Sequence, residues 1–189
     1  NAILYLKERK IGKKEIIKYN IGYCGEGVYR DKIIIPSYDK ENKLNFFTSR
    51  TYLDTNYNRF KNPSVSNDII FFESYINWNL PVFLCEGAFD AISLKRNAIP
   101  LLGKEIKSNL MRFLVSIDVP IYVILDKDAF NKSLEICYSL LNNGKEVYLV
   151  ELDKKDPNEE NYKFLMDKIK NTERFNLNKY LKYKINAKR

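Results

Sequence analysis

The sequence predicts an α/β fold in which a parallel four-stranded sheet with flanking helices follows a small mixed α/β unit. Between residues 82 and 152, four short apolar runs alternate with segments of helical periodicity. These runs are not separated by hairpin turns, so right-handed crossovers are expected to join them into a parallel sheet. The chain has 189 residues, 45% of them hydrophobic, which suffices for one sizeable core and a smaller satellite unit.

The parallel block is assigned to residues 68–157. Its strands are predicted at 82–85, 98–102, 121–125 and 146–152, and its helices at 89–96, 108–117 and 129–141. The last of these helices ends at the sequence Asn142-Asn143-Gly144, a typical C-terminal signal.

The flanking regions have a different character. Residues 1–67 are predicted to form two short helices at 5–9 and 13–19, then a strand at 32–36 closed by Pro36 and a returning strand at 44–52. Residues 158–189 are rich in Lys, Asn and Tyr, and we expect a basic, helical C-terminal tail.

Charge points to a polyanionic partner. The chain carries 32 Lys and Arg against 24 Asp and Glu, a formal net charge of +8. Such an excess favours nucleic acid, because phosphate neutralisation provides affinity that does not depend on base sequence. The alternative is an AT-rich genome, which enriches Lys, Asn, Ile and Tyr by codon usage alone. We expect a basic face that runs from the first block to the sheet, formed by Arg9, Arg30, Lys32, Arg50, Arg59 and Lys61.

Cysteine and histidine usage excludes several classes of site. The three cysteines are far apart and there is no histidine, so no structural zinc site is expected. Scattered, odd-numbered cysteines are typical of the reducing cytoplasm. The apolar runs are strand-sized and no signal peptide is recognisable, so we expect a cytoplasmic protein without a membrane span.

Carboxylates follow three of the four predicted strands. Ligand-binding sites of parallel sheets lie at the carboxyl ends of the strands, and clustered carboxylates repel each other unless a cation neutralises them. Hard oxygen ligands suit Mg²⁺ or Mn²⁺. The candidate metal ligands are Glu86, Asp90, Asp126, Asp128, Asp153 and Asp156.

Each carboxylate also has an ordinary structural interpretation. Asp128 is suitably placed to cap a helix, Asp156 before Pro157 suits a turn, and Asp90 suits a solvated helix face. The joint pattern favours the metal site, because Glu-Gly closes one strand and Asp-x-Asp closes another.

Two segments carry a family resemblance. Residues 85–91, CEGAFDA, with residues 125–129, LDKDA, resemble the Toprim signature of primases, type IA and II topoisomerases and certain nucleases. Residues 155–159, KDPNE, are similar to a stretch that follows the last Toprim strand in DnaG-type primases. Weaker matches to the DnaG polymerase core precede them in the family's order, at residues 5–9, 21–23, 32–36, 45–50 and 59–64.

The resemblance implies a Toprim fold and a DNA primase, a nucleotidyltransferase that makes short RNA primers from NTPs on single-stranded DNA. It implies catalytic and metal-binding roles for Glu86, Asp126 and Asp128, supported by Asp90, Asp153 and Asp156. A replicative helicase is the implied partner. The basic segments that match imply nucleotide or template contacts for Arg9, Arg50, Arg59, Lys61 and Asn62.

The sequence departs from the family in three respects. No zinc ribbon or helicase-binding bundle is evident, and the family's Asp-Gly-Asp is Asp126-Lys127-Asp128 here. The compact, AT-rich character resembles a phage-encoded primase.

Two other functions stay open. A Toprim nuclease of the maturation-ribonuclease or overcoming-lysogenization type would use the same carboxylates, but would not need the first block. A non-catalytic module that binds single-stranded nucleic acid would not need Glu86, Asp126 and Asp128 intact. A topoisomerase is disfavoured, since the chain is too short for a gate and a tyrosine domain.

Overall fold

The structure, a computed structural model, describes residues 1–53 and 59–186. The chain forms two compact units, Asn1–Tyr75 and Ile76–Arg189. Residues 68–75 belong to the first unit, where the backbone N–H of Phe72 donates to Ser37 Oγ at 2.9 Å and the Phe72 ring packs on Tyr19.

The first unit is built on a three-stranded antiparallel sheet of order β1-β2-β3. Two short helices precede this sheet, and single 3-10 turns lie at Gly27–Tyr29 and Glu73–Tyr75. Strand β1 was not predicted from the sequence, because it is three residues long and two of them are exposed. The elements are α1 (Ala2–Glu8), α2 (Lys13–Lys18), β1 (Gly22–Cys24), β2 (Lys32–Tyr38) and β3 (Leu44–Thr51).

Strand β2 continues to Tyr38, beyond Pro36, the residue at which the sequence predicts its end. Pro36 pairs with Phe47 of β3 on one side, whereas β1 pairs only with residues 32–34 on the other. The proline therefore lies where β2 has become an edge strand, and an edge strand tolerates a missing N–H.

The second unit contains a parallel four-stranded sheet of order β5-β4-β6-β7 with helices packed against it. This confirms the predicted fold class. A 3-10 turn at Lys127–Ala129 leads into the longest helix, α5. The elements are β4 (Val82–Cys85), α3 (Ala88–Leu94), β5 (Ala98–Pro100), α4 (Ser108–Ser116), β6 (Ile121–Ile124), α5 (Phe130–Asn142), β7 (Val147–Leu149), α6 (Tyr162–Asn171) and α7 (Leu177–Asn186).

The central strands β4 and β6 consist of apolar and aromatic residues, as is typical of the inner strands of a parallel sheet. Leu84 and Val123, partners in the β4–β6 register, are both inaccessible to solvent. The same register pairs Cys85 with Ile124, the last residues of the two strands. The residues that follow these two strands therefore emerge at one edge of the sheet.

The two tail helices belong to the second unit. Asn161 caps the N-terminus of α6, where its side-chain oxygen accepts hydrogen bonds from the backbone N–H groups of Lys163 and Phe164. Helix α7 packs on α5 through the stacked rings of Tyr180 and Tyr138, whose centroids are 4.2 Å apart. Within the described ranges, no helix is both long and apolar enough to cross a bilayer.

Candidate metal centre

Three carboxylates meet at the carboxyl edge of the parallel sheet. Glu86 follows β4 directly, and Asp126 and Asp128 follow β6. One oxygen from each side chain lies within 4.8 Å of the other two. Glu86 and Asp126 are half-buried, whereas Asp128 is exposed. We call these three residues the carboxylate cluster.

Neither aspartate acts as a helix cap. Asp126 stands at the start of the 3-10 turn and Ala129 at the start of α5, and no side chain caps either start. The backbone carbonyl of Asp126 accepts from the Ala129 N–H at 2.8 Å, so the bond that closes this turn is made by the backbone and not by the carboxylate. The capping interpretation therefore does not account for Asp-x-Asp at this position.

Two oxygens of the cluster have unmet hydrogen-bonding capacity. Glu86 Oε2 and Asp126 Oδ1 are buried and have no hydrogen-bond partner among the residues that the structure describes. Burying such an atom without a partner costs about 1–3 kcal/mol, and more when it is charged. A cation bound between these oxygens would satisfy them, and carboxylate oxygens are the ligands that Mg²⁺ and Mn²⁺ prefer. The cluster thus fits a hard divalent cation.

The electrostatics of the cluster also suit a cation. Burial, and then repulsion by Glu86, Asp156 and Asp128, raise the pKa of Asp126 to about 7. Burial also raises the pKa of Glu86. The pKa of Asp128 is lowered, chiefly because Lys104 donates a hydrogen bond to it. At neutral pH the cluster therefore carries negative charge, which Lys104 neutralises only in part.

Cation binding should depend on pH through Asp126. Below its pKa of about 7 the carboxyl is protonated, and the proton must leave before the oxygen can bind a cation. We expect Mn²⁺ affinity to rise up to about tenfold per pH unit as pH approaches 7 from below, and to level off above about pH 8. Calorimetric titration from pH 5.5 to 8.5 measures this, and Asp126→Asn should show no Mn²⁺ binding at any pH in this range. A flat affinity across pH 5.5–7.5 would contradict the assignment.

Asp90 lies beside the cluster and shapes the loop that carries Glu86. It is buried on α3, and its Oδ2 accepts the Gly87 N–H at 3.2 Å. A Cβ at position 87 would lie 2.8 Å from that oxygen, so a larger residue there would have to displace the Asp90 carboxylate. This contact explains the Glu-Gly-x-x-Asp spacing, while a metal-binding role for Asp90 stays a prediction.

Asp153 and Asp156 lie in the loop after β7. Asp153 forms an ion pair with Lys168 at 2.7 Å, and Asp156 Oδ1 accepts the Glu159 N–H at 2.9 Å. Asp156 nevertheless contributes to the raised pKa of Asp126. The structure therefore gives both residues protein partners, and their support of a metal stays a prediction.

Two residues with defined contacts were not predicted from the sequence: Glu160 holds the loop after β7, and Lys104 contacts the cluster. The side chain of Glu160 is buried and accepts the N–H groups of Asp153 and Lys154 at 2.6 and 2.8 Å, which anchors the loop after β7. Lys104 Nζ lies 2.8 Å from Asp128 Oδ2. Its position after Gly103 at the end of β5 was a usable signal, because β5 ends at the same edge as the other strands.

The predicted template-binding residues lie in the first unit, where cations stack on aromatic rings. The Arg50 guanidinium lies 4.9 Å from the Phe60 ring centre and 5.9 Å from that of Tyr5. Arg9 lies 5.6 Å from the same Tyr5 ring, and Lys61 lies 5.6 Å from the Tyr29 ring. Stacked cations and rings can bind both the phosphates and the bases of a single strand.

The segment that carries Arg59, Lys61 and Asn62 runs along β3. The Arg59 carbonyl accepts the Thr51 N–H at 2.9 Å, and the Lys61 N–H donates to the Ser49 carbonyl at 3.2 Å. Asn62 Oδ1 accepts the Thr48 hydroxyl at 2.9 Å, so its observed contact fixes this segment. Arg59 and Lys61 are exposed.

One member of the expected basic face is wrongly assigned. Lys32 is only 7% exposed, because it lies in β2, the middle strand of the first sheet. Arg30 is exposed and pairs with Asp31 at 3.6 Å. The exposed basic residues of the first unit thus do not include Lys32.

Comparison with solved structures identifies the class of fold: the chain has the fold of DnaG-type primase catalytic cores, as its motifs indicated. It resembles the zinc-binding and RNA polymerase domains of the Aquifex aeolicus primase with a TM-score of 0.79 and 20% identity, covering 91% of this chain and 56% of that one. It therefore spans little more than half of that structure.

Two further structures have the same fold. One is a DnaG primase catalytic domain bound to single-stranded DNA, with a TM-score of 0.73, 15% identity and coverage of 92% of this chain and 72% of that chain. The other is the primase fragment of the bacteriophage T7 primase-helicase, with a TM-score of 0.69, 21% identity and coverage of 87% and 71%. No protein-family model matches the chain, and a sequence comparison with curated proteins gives no match.

Proposed function

We propose that the chain is the catalytic core of a DNA primase, which uses Mg²⁺ or Mn²⁺ to join NTPs into short RNA primers on a single-stranded DNA template. One observation carries the proposal. The carboxylate cluster lies at the carboxyl edge of the sheet and contains two buried oxygens that have no hydrogen-bond partner among the described residues, in a fold shared with primase cores.

The cluster suits phosphoryl transfer. Divalent cations bound there would activate a 3′-hydroxyl and neutralise the charge that develops on the transferred phosphoryl group. Glu86 and Asp126 are fixed by the ends of β4 and β6, and Asp128 by the 3-10 turn. We assign Asp90, Asp153 and Asp156 to the support of these three ligands.

The first unit is proposed to bind the template. Its stacked cations and exposed Phe60 suit phosphates and unpaired bases, and the net charge of +8 favours a polyanion. The solved DnaG domain bound to single-stranded DNA has the same fold, which supports this assignment. The residues assigned to template or nucleotide binding are Arg9, Arg50, Arg59, Lys61 and Asn62.

A replicative helicase is the proposed protein partner. The T7 structure of the same fold belongs to a primase-helicase protein, which supports both this partner and a phage origin. The proposed place of action is the cytoplasm of a cell in which DNA is replicated.

Incubation with single-stranded DNA, NTPs and Mg²⁺ or Mn²⁺ tests the proposal. We expect short oligoribonucleotides that disappear when EDTA is added. Shortened DNA would instead assign the cluster to a nuclease that uses water as nucleophile. Binding without any product would leave only a nucleic-acid-binding module, and either of these two results would contradict a primase.

A further inference from the structure

Lys104 is held beside the carboxylate cluster by the loop that follows β5. Its Nζ donates to Asp128 Oδ2 at 2.8 Å. The loop is fixed to the end of β4, because the Leu101 N–H donates to the Cys85 carbonyl at 2.8 Å and the Gly103 N–H to the Glu86 carbonyl at 3.4 Å. The site of Lys104 is thus tied by backbone bonds to the strand that delivers Glu86.

The turn before Lys104 depends on glycine. Gly103 has a φ of +147°, a conformation that L side chains rarely adopt. The backbone thereby turns directly after Leu102 and brings the lysine to the carboxyl edge of the sheet. This local geometry distinguishes Lys104 from a lysine placed at random on the surface.

The ammonium of Lys104 serves the cluster as a whole. The Lys104 side chain is 38% exposed, whereas that of Asp128 is 69% exposed, so the lysine is the more enclosed partner. Its charge lowers the pKa of Asp128, and it also opposes the burial that raises the pKa of Glu86 and of Asp126. All three carboxylates therefore feel the same positive charge.

We propose that Lys104 is an internal counter-ion of the carboxylate cluster, which a divalent cation must displace from Asp128 and which then binds a phosphate of the incoming nucleotide. This inference rests on the proposed function and deepens it. An ammonium and a divalent cation that compete for one carboxylate repel each other, and an anion placed between them removes the repulsion. The phosphates of a nucleotide are such an anion.

The coupling has a functional consequence. Without nucleotide, the tethered ammonium keeps the affinity for divalent cations low. With nucleotide, the ammonium leaves Asp128 for the phosphate, and the cation gains the full set of carboxylates. Cation and nucleotide are then bound together, and the site is complete only when both are present.

Titration of the whole chain with Mn²⁺, followed by electron paramagnetic resonance, tests the first half of the inference in the absence of nucleotide. We expect Lys104→Met to bind Mn²⁺ about three- to tenfold more tightly than wild type, because a competing cation has been removed. Lys104→Arg keeps the charge and should stay close to wild type. Lys132→Met is the matched control, since Lys132 is similarly exposed but pairs with Glu105 and Glu135.

Extension of an annealed RNA primer tests the second half. Lys104→Met should raise the KM for NTP about three- to tenfold and change kcat much less, because the lost contact is a binding contact to phosphate. If Lys104 served only the fold, its substitution would lower the Tm instead. We expect both Lys104→Met and Lys104→Arg to keep the Tm of wild type.

The two proposals fail differently. If Lys104→Met binds Mn²⁺ with unchanged or weaker affinity while wild type binds the ion and extends RNA, the counter-ion role is wrong and the primase function stands. If wild type binds no Mn²⁺ and extends no RNA, both proposals are overturned. If Mn²⁺ binding tightens but the KM for NTP does not rise, the transfer of Lys104 to phosphate is wrong.

Discussion

Asp126→Asn is expected to lower the rate of RNA synthesis by a factor of about a thousand or more, while the protein stays folded. Asn has the shape of Asp but lacks the charge that holds a divalent cation. Asp126 is central to the cluster, since its carboxylate is half-buried and one of its oxygens has no partner in the part of the chain that the structure describes. Primer extension with Mg²⁺ and with Mn²⁺ measures the loss.

The same substitution should stabilise the protein in the absence of metal. The pKa of Asp126 is raised from 3.8 to about 7 in the folded protein. At pH values between these two, the folded state holds a proton on Asp126 that the unfolded state has lost. The stability that this proton contributes is present at low pH and is lost as pH rises through about 7. At pH 8 wild type therefore carries an unfavourable half-buried charge, which Asn removes.

The stabilising effect is small but measurable. Because the carboxylate is partly exposed, solvent screening limits the gain to about 1 kcal/mol, which corresponds to about 2–4 °C in Tm for a chain of this size. Thermal unfolding at pH 8 in EDTA measures it. Mg²⁺ should raise the Tm of wild type and not that of the variant, because only wild type binds the ion.

Asp118→Asn is the matched control, since Asp118 is exposed and lies in the loop between α4 and β6 of the same unit. It should leave both synthesis and Tm unchanged. Near-normal synthesis by Asp126→Asn would contradict the metal-binding role. Loss of synthesis together with a lower Tm would assign Asp126 a structural role instead.

The double substitution Arg50→Ala with Lys61→Ala is expected to weaken binding to single-stranded DNA about tenfold or more at moderate salt. Both cations stack on aromatic rings, and Phe60 beside Arg50 is 53% exposed, as a base-stacking surface must be. Each phosphate contact that is lost should also reduce the slope of log affinity against log salt concentration by about 0.7. Fluorescence anisotropy at four or more salt concentrations measures both quantities.

A second double variant, Lys40→Ala with Lys43→Ala, removes the same charge from the turn between β2 and β3 of the same unit. It should change affinity much less, because these lysines carry no assigned contact to DNA. An equal loss in both variants would show that net charge alone drives binding. Unchanged affinity in the first variant would show that Arg50 and Lys61 do not bind the template.

The number and order of the strands in the second unit could be predicted because a buried parallel strand leaves a continuous apolar run in the sequence. The strands predicted at 98–102 and 146–152 are shorter in the structure, at Ala98–Pro100 and Val147–Leu149, because the apolar run continues past the last paired residue. The run at 82–85 has the bounds observed for β4. The carboxylate cluster followed from those bounds, since parallel strands that are neighbours end at one edge. Strand β1 left no such signal, and the end of β2 depended on a partner strand that the sequence does not show.

The contacts around the cluster could not be predicted in the same way. Lys104 follows Gly103 just beyond β5, which is a usable signal, but the path of its loop is set by backbone bonds to the end of β4 that the sequence does not show. Glu160 has the composition of a solvated tail residue, yet two backbone N–H groups hold its carboxylate in a buried position. Such roles depend on which backbone groups lack partners, which only the folded chain determines.

The most direct measurement is the extension of a short RNA annealed to a DNA template, with labelled NTPs and Mg²⁺ or Mn²⁺. A primed template tests bond formation at the cluster separately from the recognition of a start site. We expect ribonucleotides complementary to the template to be added by wild type, and not by Asp126→Asn or in EDTA. Bound Mn²⁺ and bound DNA without any extension, or a shortened strand in place of a longer one, would contradict the primase function.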